Sequence, residues 1–195
     1  GIWARLANFY STSGAGAFFL PEVGDEVVVG FLNEDPRYPI ILGSLYSSTK
    51  NKPYKGLIPD KKNTKKAIVS KQGIFIEFDD ENKKFTIETP NKNTAIFDDK
   101  SKEITIKDQN SNSIVMSSSG ITIKSAKNIN IEANQKLTLK GKQGVTIDSS
   151  PGDVTIKGTN IKETASVKYS AKGSAQAELT GGAQTTIKGA MVMIN

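Results

Sequence analysis

The stretch Ile121-Thr122-Ile123 opens a run of matching triplets, which continues as Ile129-Asn130-Ile131, Leu137-Thr138-Leu139 and Val145-Thr146-Ile147, each beginning eight residues after the last. Every triplet places an apolar residue on either side of a polar one, and in a β-strand residues i and i+2 share a face. Lys, Ser, Asn, Gly and Gln fill the intervening segments and suit tight polar turns. A fixed period of short strand plus turn is typical of a β-solenoid or β-helix.

Two apolar residues per repeat cannot form a core alone, so these strands must pack against others. Two arrangements fit the period. Three successive repeats of one chain could form one triangular turn of a monomeric β-helix, or three chains could each supply one side of every layer in an intertwined trimeric needle. A β-sandwich with evenly spaced strands is a third interpretation, and the strictness of the period argues against it. The fold class predicted is all-β.

Composition excludes several function classes. The 195 residues contain no Cys and no His, which removes disulfides, the commonest general base and the commonest metal ligand. We therefore predict no catalytic residues, no metal site and no cofactor. The net charge of +6 comes mostly from scattered lysines and fits a solubility role. No apolar run is long enough to span a membrane, and the first residues lack the layout of a signal peptide.

Residues 1–48 predict a small β-barrel, because the aromatic residues cluster there between turn signals. The predicted strands are Ile2–Leu6, Ala17–Leu20, Glu26–Phe31 and Ile40–Leu45. Gly24 and Asp25 are predicted to turn the chain between two of them. Four strands are too few to close a barrel, so we expect the domain to continue upstream of Gly1 or to borrow from a neighbour.

The same region resembles the oligonucleotide/oligosaccharide-binding (OB) domain of VgrG spike proteins, which are type VI secretion tips related to phage tail spikes. The resemblance is carried by Trp3-Ala4-Arg5, by Pro21-Glu22-Val23-Gly24-Asp25-Glu26-Val27-Val28-Val29-Gly30-Phe31, and by Asp35-Pro36-Arg37-Tyr38-Pro39-Ile40 with Gly43. In that family a trimeric β-helix follows the barrel, so the resemblance implies a homotrimer. It also implies a large hub region before the barrel, and we expect this chain to be an N-terminally trimmed fragment.

Residues 49–72 predict a Lys-rich connector, in which Lys50, Lys52, Lys55, Lys61, Lys62, Lys65 and Lys66 stand beside Pro53 and Pro59. A phosphate-binding arm is one interpretation of such a charge run, and a solvated linker draped on the barrel is the favoured one. Nucleic-acid binding is not expected, because the aromatic residues alternate with apolar ones as core residues do and do not line a basic groove.

Residues 73–195 predict a β-helix with longer repeats at first and eight-residue repeats from Ile121. The earlier repeats are Ile74–Phe78, Phe85–Ile87, Ala95–Phe97, Ile104–Ile106 and Ile114–Met116. The acidic and basic segments between them lack calcium-loop spacing and predict hairpin-like turns. The predicted trimer core is Ile121, Ile123, Ile129, Ile131, Leu137, Leu139, Val145 and Ile147. Small inward residues, Ala175, Ala177 and Ala183, narrow the column toward its end.

The C-terminal run Met191-Val192-Met193-Ile194-Asn195 is the most apolar part of these repeats. An open β-helix end exposes its core unless it is capped. In VgrG relatives the cap is a PAAR-repeat cone, so the resemblance implies that these five residues bind a separate tip protein. The alternative is that they plug the end of the trimer.

The resulting hypothesis is a non-enzymatic, membrane-puncturing trimeric spike of a contractile injection system. The resemblance implies tail-hub, baseplate and tube proteins on the N-terminal side, an effector as cargo, and transient contact with a target membrane. It also implies assembly in the bacterial cytoplasm followed by ejection. The alternative is a carbohydrate-binding, carbohydrate-degrading or receptor-binding β-helix, which requires clustered acids and aromatics on one face. Residues 104–195 hold one aromatic, Tyr169, and few carboxylates.

Overall fold

The largest sheet of this chain has seven short strands, which are joined in chain order by hairpins at polar segments. The computed structural model describes residues 1–47, 50–54, 57 and 61–194. These residues fall into two units, Gly1–Glu132 and Ala133–Asn195. The fold is all-β, as predicted, and the one helical segment described is the 3-10 turn Leu32–Glu34. No helix in the described residues is long and apolar enough to cross a membrane.

The N-terminal region contains a three-stranded sheet and a two-stranded hairpin. Strand β4, Val27–Phe31, pairs antiparallel with β5, Pro39–Ser44, and shifts register between Val28 and Val29. Strand β1, Arg5–Leu6, runs parallel to β5 on its other side. Strands β2, Ser11–Thr12, and β3, Ala15–Gly16, form the hairpin.

The predicted strands agree with this region in part. Gly24 and Asp25 do form a turn, in which Gly24 has φ 98° and the Glu22 N–H donates to Asp25 Oδ2 at 2.8 Å. The prediction of a strand at Ala17–Leu20 is wrong. The strand pairing ends at Gly16, because Ser13-Gly14 reverses the chain with Gly14 at φ 73°, where glycine is tolerated without strain.

The largest sheet is an antiparallel meander whose strands pair in chain order. Its members are β6 Lys65–Val69, β7 Phe75–Asp79, β8 Lys84–Glu88, β9 Thr94–Asp98, β10 Glu103–Lys107, β11 Ser113–Ser117 and β12 Gly120–Lys124. Strands β7 to β12 lie where the apolar alternation predicts strands. Strand β6 lies inside the segment predicted as a connector, where frequent lysines hide the alternation. Of that connector, Lys55 and Pro59 lie outside the described residues.

Residues 125–194 form neither strand nor helix within one chain, although they carry the same triplets as the sheet. Backbone N–H and C=O groups need partners, and a segment that finds none in its own chain must find them elsewhere. No hydrophobic side chain is buried among the described residues, and the only buried polar one is Asp79, at 7% exposed. The chain exposes 18390 Å², where a folded monomer of 21.0 kDa exposes about 9,000 Å². The described residues of a single chain therefore form no hydrophobic core.

Candidate assembly surface

One side of the seven-stranded sheet is almost entirely apolar. Residues paired directly across antiparallel strands point to the same side of the sheet. Following the register from β6 to β12 gives a first row, Lys66, Phe78, Phe85, Phe97, Ile104, Met116 and Ile121, and a second row, Ile68, Ile76, Ile87, Ala95, Ile106, Ile114 and Ile123. We call these two rows the apolar face. Lys66 is its one charged member.

The described residues of the chain leave the apolar face largely uncovered. The Phe85 ring centroid lies 5.1 Å from that of Phe78 and 5.9 Å from that of Phe97, so the aromatic side chains contact each other along the row. Even so, Phe78 is 47% exposed and Ile106 47%. A contiguous exposed apolar surface of this kind marks an interaction site in a soluble protein.

The opposite side of the sheet carries ion pairs, and we call it the polar face. Lys65 Nζ lies 3.1 Å from Glu77 Oε1 and 3.6 Å from Asp79 Oδ2, which joins β6 to β7. Lys84 Nζ lies 2.9 Å from Asp98 Oδ2, which joins β8 to β9. The hydrogen bond to Glu77 raises the pKa of Lys65. The middle row of this side also contains Ala67, Ile96 and Val115. The two sides therefore differ in chemistry, with the ion pairs confined to the polar face.

Side chains at the strand ends hold the hairpin turns. Asp98 accepts the Ser101 N–H at 2.9 Å, and this bond, followed by the one from Lys84, lowers the pKa of Asp98 to about 2. Asp79 accepts the Asn82 N–H and its Nδ2–H, each at 3.0 Å, and the side-chain bond is the main cause that lowers the pKa of Asp79. These aspartates act as turn caps. No group of three or more acidic side chains in the described part of the chain is arranged to hold a metal ion.

The predicted trimer-core residues are all exposed in the single chain. Ile121 and Ile123 lie on β12 and belong to the apolar face, with 70% and 60% of their surfaces exposed. The other six lie after the sheet and are 52–68% exposed, namely Ile129, Ile131, Leu137, Leu139, Val145 and Ile147. Their inward position in a trimer stays a prediction.

The predicted tip-binding residues are also uncovered. Met191 is 79% exposed, Val192 50%, Met193 78% and Ile194 89%, while Asn195 lies outside the described residues. Binding of a tip protein there stays a prediction.

Sequence reasoning missed part of the apolar face. It grouped the repeats from Gly73 onward as one β-helix with hairpin-like turns between the first repeats, and β7 to β12 do pair antiparallel within the chain. It also left Ile68 in a linker. The available signal was the recurring acidic or hydroxyl residue at each strand end, since Ser, Thr and Asp in that position favour turns.

Comparison with known proteins shows that two family models match parts of this chain. Residues 1–46 match the family model described as the type VI secretion system/phage-baseplate injector OB domain. Residues 84–136 match the phage baseplate V C-terminal trimerisation domain. The second match covers β8 to β12 and the segment that follows, which is most of the apolar face, and it supports a homotrimer.

Curated relatives are similar over shorter segments. The type VI secretion system spike protein VgrG3 of Vibrio cholerae is 45% identical over 60 residues, which are 31% of this chain and 6% of that protein. The spike protein VgrG1a of Pseudomonas aeruginosa is 32% identical over 85 residues, 42% of this chain and 13% of that protein. The actin cross-linking toxin VgrG1 of Vibrio cholerae is 42% identical over 52 residues, 27% and 5% respectively.

The chain thus spans a small part of the length of these curated relatives. The two matched domains stand in the order that the resemblance predicts, the OB domain first and the trimerisation domain after it. Residues 1–46 are thus similar to an injector OB domain and residues 84–136 to a baseplate V C-terminal trimerisation domain, and the predicted resemblance to the VgrG and phage tail-spike family is confirmed.

Proposed function

We propose that three copies of this chain form a central spike of a contractile injection system, and that the spike works mechanically and not as an enzyme. The observation that carries the proposal is the uncovered apolar face, which lies largely inside the trimerisation-domain match. Three such faces turned toward a common axis would cover one another and leave the three polar faces in water.

The energetics favour assembly. Thirteen apolar residues form the apolar face. Eight of them are more than a third exposed and five less. Burying what remains is worth roughly 0.5–1 kcal/mol for each residue, so the face contributes on the order of 10 kcal/mol per chain. Ordering two further chains costs several kcal/mol each. The gain exceeds this cost only when all three faces are covered, so the trimer should form as a unit.

The mechanism proposed is stiffness. In residues 125–194 no backbone pairing occurs within the described chain, so in a trimer those groups would pair between chains. A chain could then leave only by breaking the pairing along its length, which makes unfolding slow. A contracting sheath would drive such a body through a target envelope, after assembly in the bacterial cytoplasm, with tail-hub and tube proteins behind it and effector cargo attached.

The exposed C-terminal run is proposed to bind a PAAR-like tip protein. Met191, Val192, Met193 and Ile194 offer apolar side chains next to backbone groups that are unpaired in one chain. A partner could add strands to this edge, and methionine adapts well to a contact surface.

Light scattering on the purified chain tests the trimer. We expect three times the 21.0 kDa mass of one chain at every concentration that can be measured. A stable folded species of 21.0 kDa would overturn the proposal.

A pull-down with a PAAR-like protein tests the tip. Deleting residues 191–195 should leave the trimer intact and abolish capture. The matched control replaces Lys136 and Lys140, which lie far from the end in sequence, with Ala and should still capture. Loss of the trimer on deletion would instead identify the run as a plug.

A further inference from the structure

Two hydrogen-bonded turns meet between the N-terminal region and the largest sheet. In the first turn, the Glu22 N–H donates to Asp25 Oδ2 at 2.8 Å, and the Asp25 N–H donates to the Glu22 carbonyl oxygen at 3.0 Å. In the second turn, between β6 and β7, the Gly73 N–H donates to the Ser70 carbonyl oxygen at 2.9 Å. Ser70 Oγ also accepts the Ile74 N–H at 3.0 Å. Each turn satisfies its own amides, so each holds its charged side chain on a fixed backbone.

An ion pair joins the two turns. Lys71 Nζ lies 2.7 Å from Glu22 Oε2, although the two residues are 49 positions apart in sequence. The hydrogen bond to Glu22, together with the charges of Glu22 and Asp25, raises the pKa of Lys71. The side chains of Lys71 and Glu22 are 67% and 56% exposed, so the pair is weak on its own. It needs a second contact to hold the two regions together.

The second contact is a pair of stacked rings. Tyr54, in the segment predicted as a connector, stacks on Phe75 with ring centroids 5.8 Å apart and an interplanar angle of 24°. Phe75 is the first residue of β7 and follows Lys71 by four positions. It pairs with Val69 and with Glu88, which places it on the polar face. Tyr54 therefore contacts the side of the sheet opposite the apolar face.

We propose that Glu22, Lys71, Tyr54 and Phe75 form a joint that holds the N-terminal region against the first hairpin of the sheet, so that the two regions move as one body. Each contact is weak, but each keeps the partners of the other close and so raises their effective concentration. The joint lies within one chain and does not depend on the trimer. Its use rests on the proposed function, because a spike driven from its N-terminal side transmits load through a fixed joint and bends at a free linker.

Limited trypsin digestion of the full-length protein tests the joint. The bond after Lys50 lies in the connector before Tyr54, where Ser47 Oγ accepts the N–H groups of Lys50 and Asn51 at 3.2 and 3.0 Å. At a low trypsin concentration the joint opens and closes faster than the bond is cut, so the cleavage rate follows the population of the open form. The rate is measured by mass spectrometry as the appearance of fragments that begin at Asn51.

The stacked rings are tested from both sides. Tyr54→Ala and Phe75→Ala each remove the stack, and each should raise the cleavage rate after Lys50 about fivefold or more. Phe75 lies far from the cut bond in sequence, so its replacement leaves the sequence recognised by trypsin unchanged. Two controls should match the parent, namely Tyr54→Phe, which keeps the ring, and Tyr46→Ala, which removes a tyrosine that is 75% exposed.

The ion pair is tested by exchanging its charges. Lys71→Glu places an acid opposite Glu22 and should raise the same rate about threefold. Adding Glu22→Lys to that variant should restore the parent rate. The control Lys107→Glu reverses an exposed lysine of β10 on the polar face and should have no effect. Tyr54→Ala combined with Lys71→Glu should raise the rate by less than the product of the two separate increases, because each contact supports the other.

Three results would overturn the joint or part of it. Equal rates for Tyr54→Ala, Lys71→Glu and the controls would show that the two regions are not held together by these contacts. Increases that multiply in the double variant would show two independent contacts and no single joint. Failure of the exchanged charges to restore the rate would remove the ion pair from the joint. Light scattering on the same samples tests the proposed function separately, because a monomeric parent with the expected cleavage rates overturns the trimer and not the joint.

Discussion

Residues 65–124 and residues 125–194 carry the same apolar–polar–apolar triplets, yet the two regions differ in whether their backbones pair within the chain. In the first region every strand pairs with its neighbour in the same chain. In the second, no described residue belongs to a strand. The apolar content of the triplets does not explain the contrast, since Ile-x-Ile occurs at Ile104–Ile106 and again at Ile129–Ile131.

The turns account for the difference. Each connection in the sheet has a left-handed residue within two positions of the start of the strand that follows, and the series is Gly73, Lys83, Lys92, Lys102, Ser111 and Gly120. Such a residue allows a tight reversal. Among the described residues from 121 to 194, only Gly144 has a positive φ. The first region thus reverses at every turn, while the second does not.

Caps reinforce the contrast. At the strand ends of the sheet, Ser70 accepts the Ile74 N–H at 3.0 Å, Asp98 accepts the Ser101 N–H, and Asp108 accepts the Asn112 N–H at 2.9 Å. Each bond satisfies a turn amide inside the same hairpin. Strand pattern therefore sets which residues can become β-structure, and turn chemistry sets which of them pair within the chain.

The largest effect is expected from a charge on the apolar face. Ile104→Asp would place three carboxylates at one level of a trimer, and removing each from water without a partner costs several kcal/mol. We expect loss of the soluble trimer in size-exclusion chromatography with light scattering. Ile131→Asp should do the same in the second region, if both regions are covered by other copies.

The control for this experiment is Thr105→Asp, on the neighbouring residue. Thr105 lies on the polar face between Ile104 and Ile106. Its replacement should leave the trimer intact. If Thr105→Asp dissociates the trimer and Ile104→Asp does not, the assignment of the two faces is reversed.

The sheet should also lose stability in acid through its turn caps. The folded pKa of Asp98 is about 2, below its ordinary value of 3.8. Its contribution to the free energy of unfolding is therefore complete above about pH 4 and falls as the pH drops toward 2. Melting temperatures of the parent should decline over this window, and Asp98→Asn should decline less. Asp148→Asn, in the second region, is the matched control. An identical pH profile for parent and Asp98→Asn would contradict the capping role.

The sequence predicts most strands and one turn of this protein, because short local patterns of residues determine them. Alternation located β7 to β12, and Gly24 with Asp25 marked a turn that is present. Strand β6 was missed because Lys66 stands where the other strands place an apolar residue, so only Ile68 marks its apolar side. The hairpin-like turns predicted between the first repeats are present, as between Asp79 and Lys84. The sequence does not show where this in-chain pairing stops, because it depends on backbone torsions at residues such as Lys83 and Lys102. The domain boundaries 1–48, 49–72 and 73–195 stay predictions.

Left-handed turn residues provide a smaller test. Lys102 has φ 56°, which costs a residue with a Cβ about 1 kcal/mol, and glycine would remove that cost while adding freedom to the unfolded chain. We expect Lys102→Gly to change the free energy of unfolding by less than about 1 kcal/mol. Lys102→Val should lower it by about 1–2 kcal/mol, because branched side chains tolerate this conformation poorly. Lys140→Val, at a position without positive φ, should be neutral. Denaturant melts of the three variants measure these changes in the free energy of unfolding. If Lys102→Val and Lys140→Val lower it equally, the left-handed turn at Lys102 does not contribute to stability.

The smallest effect is expected at the charged edge of the sheet, where two ion pairs of β6 and the segment before it differ in exposure. The side chains of Lys62 and Glu81 are 70% and 57% exposed, so water and salt screen the pair, and Lys62→Ala should change the free energy of unfolding by less than about 0.5 kcal/mol. Lys65 contacts carboxylates that are only 15% and 7% exposed, so Lys65→Ala leaves two acidic groups with little access to water and should lower the melting temperature more. Melts at about 0.05 M and about 0.5 M NaCl separate the two, because salt screens exposed charges far more than covered ones. The effect of Lys62→Ala on the melting temperature should vanish at high salt, while the effect of Lys65→Ala should persist. If both differences vanish together, the β6 edge is held by general charge attraction and not by the specific contacts of Lys65.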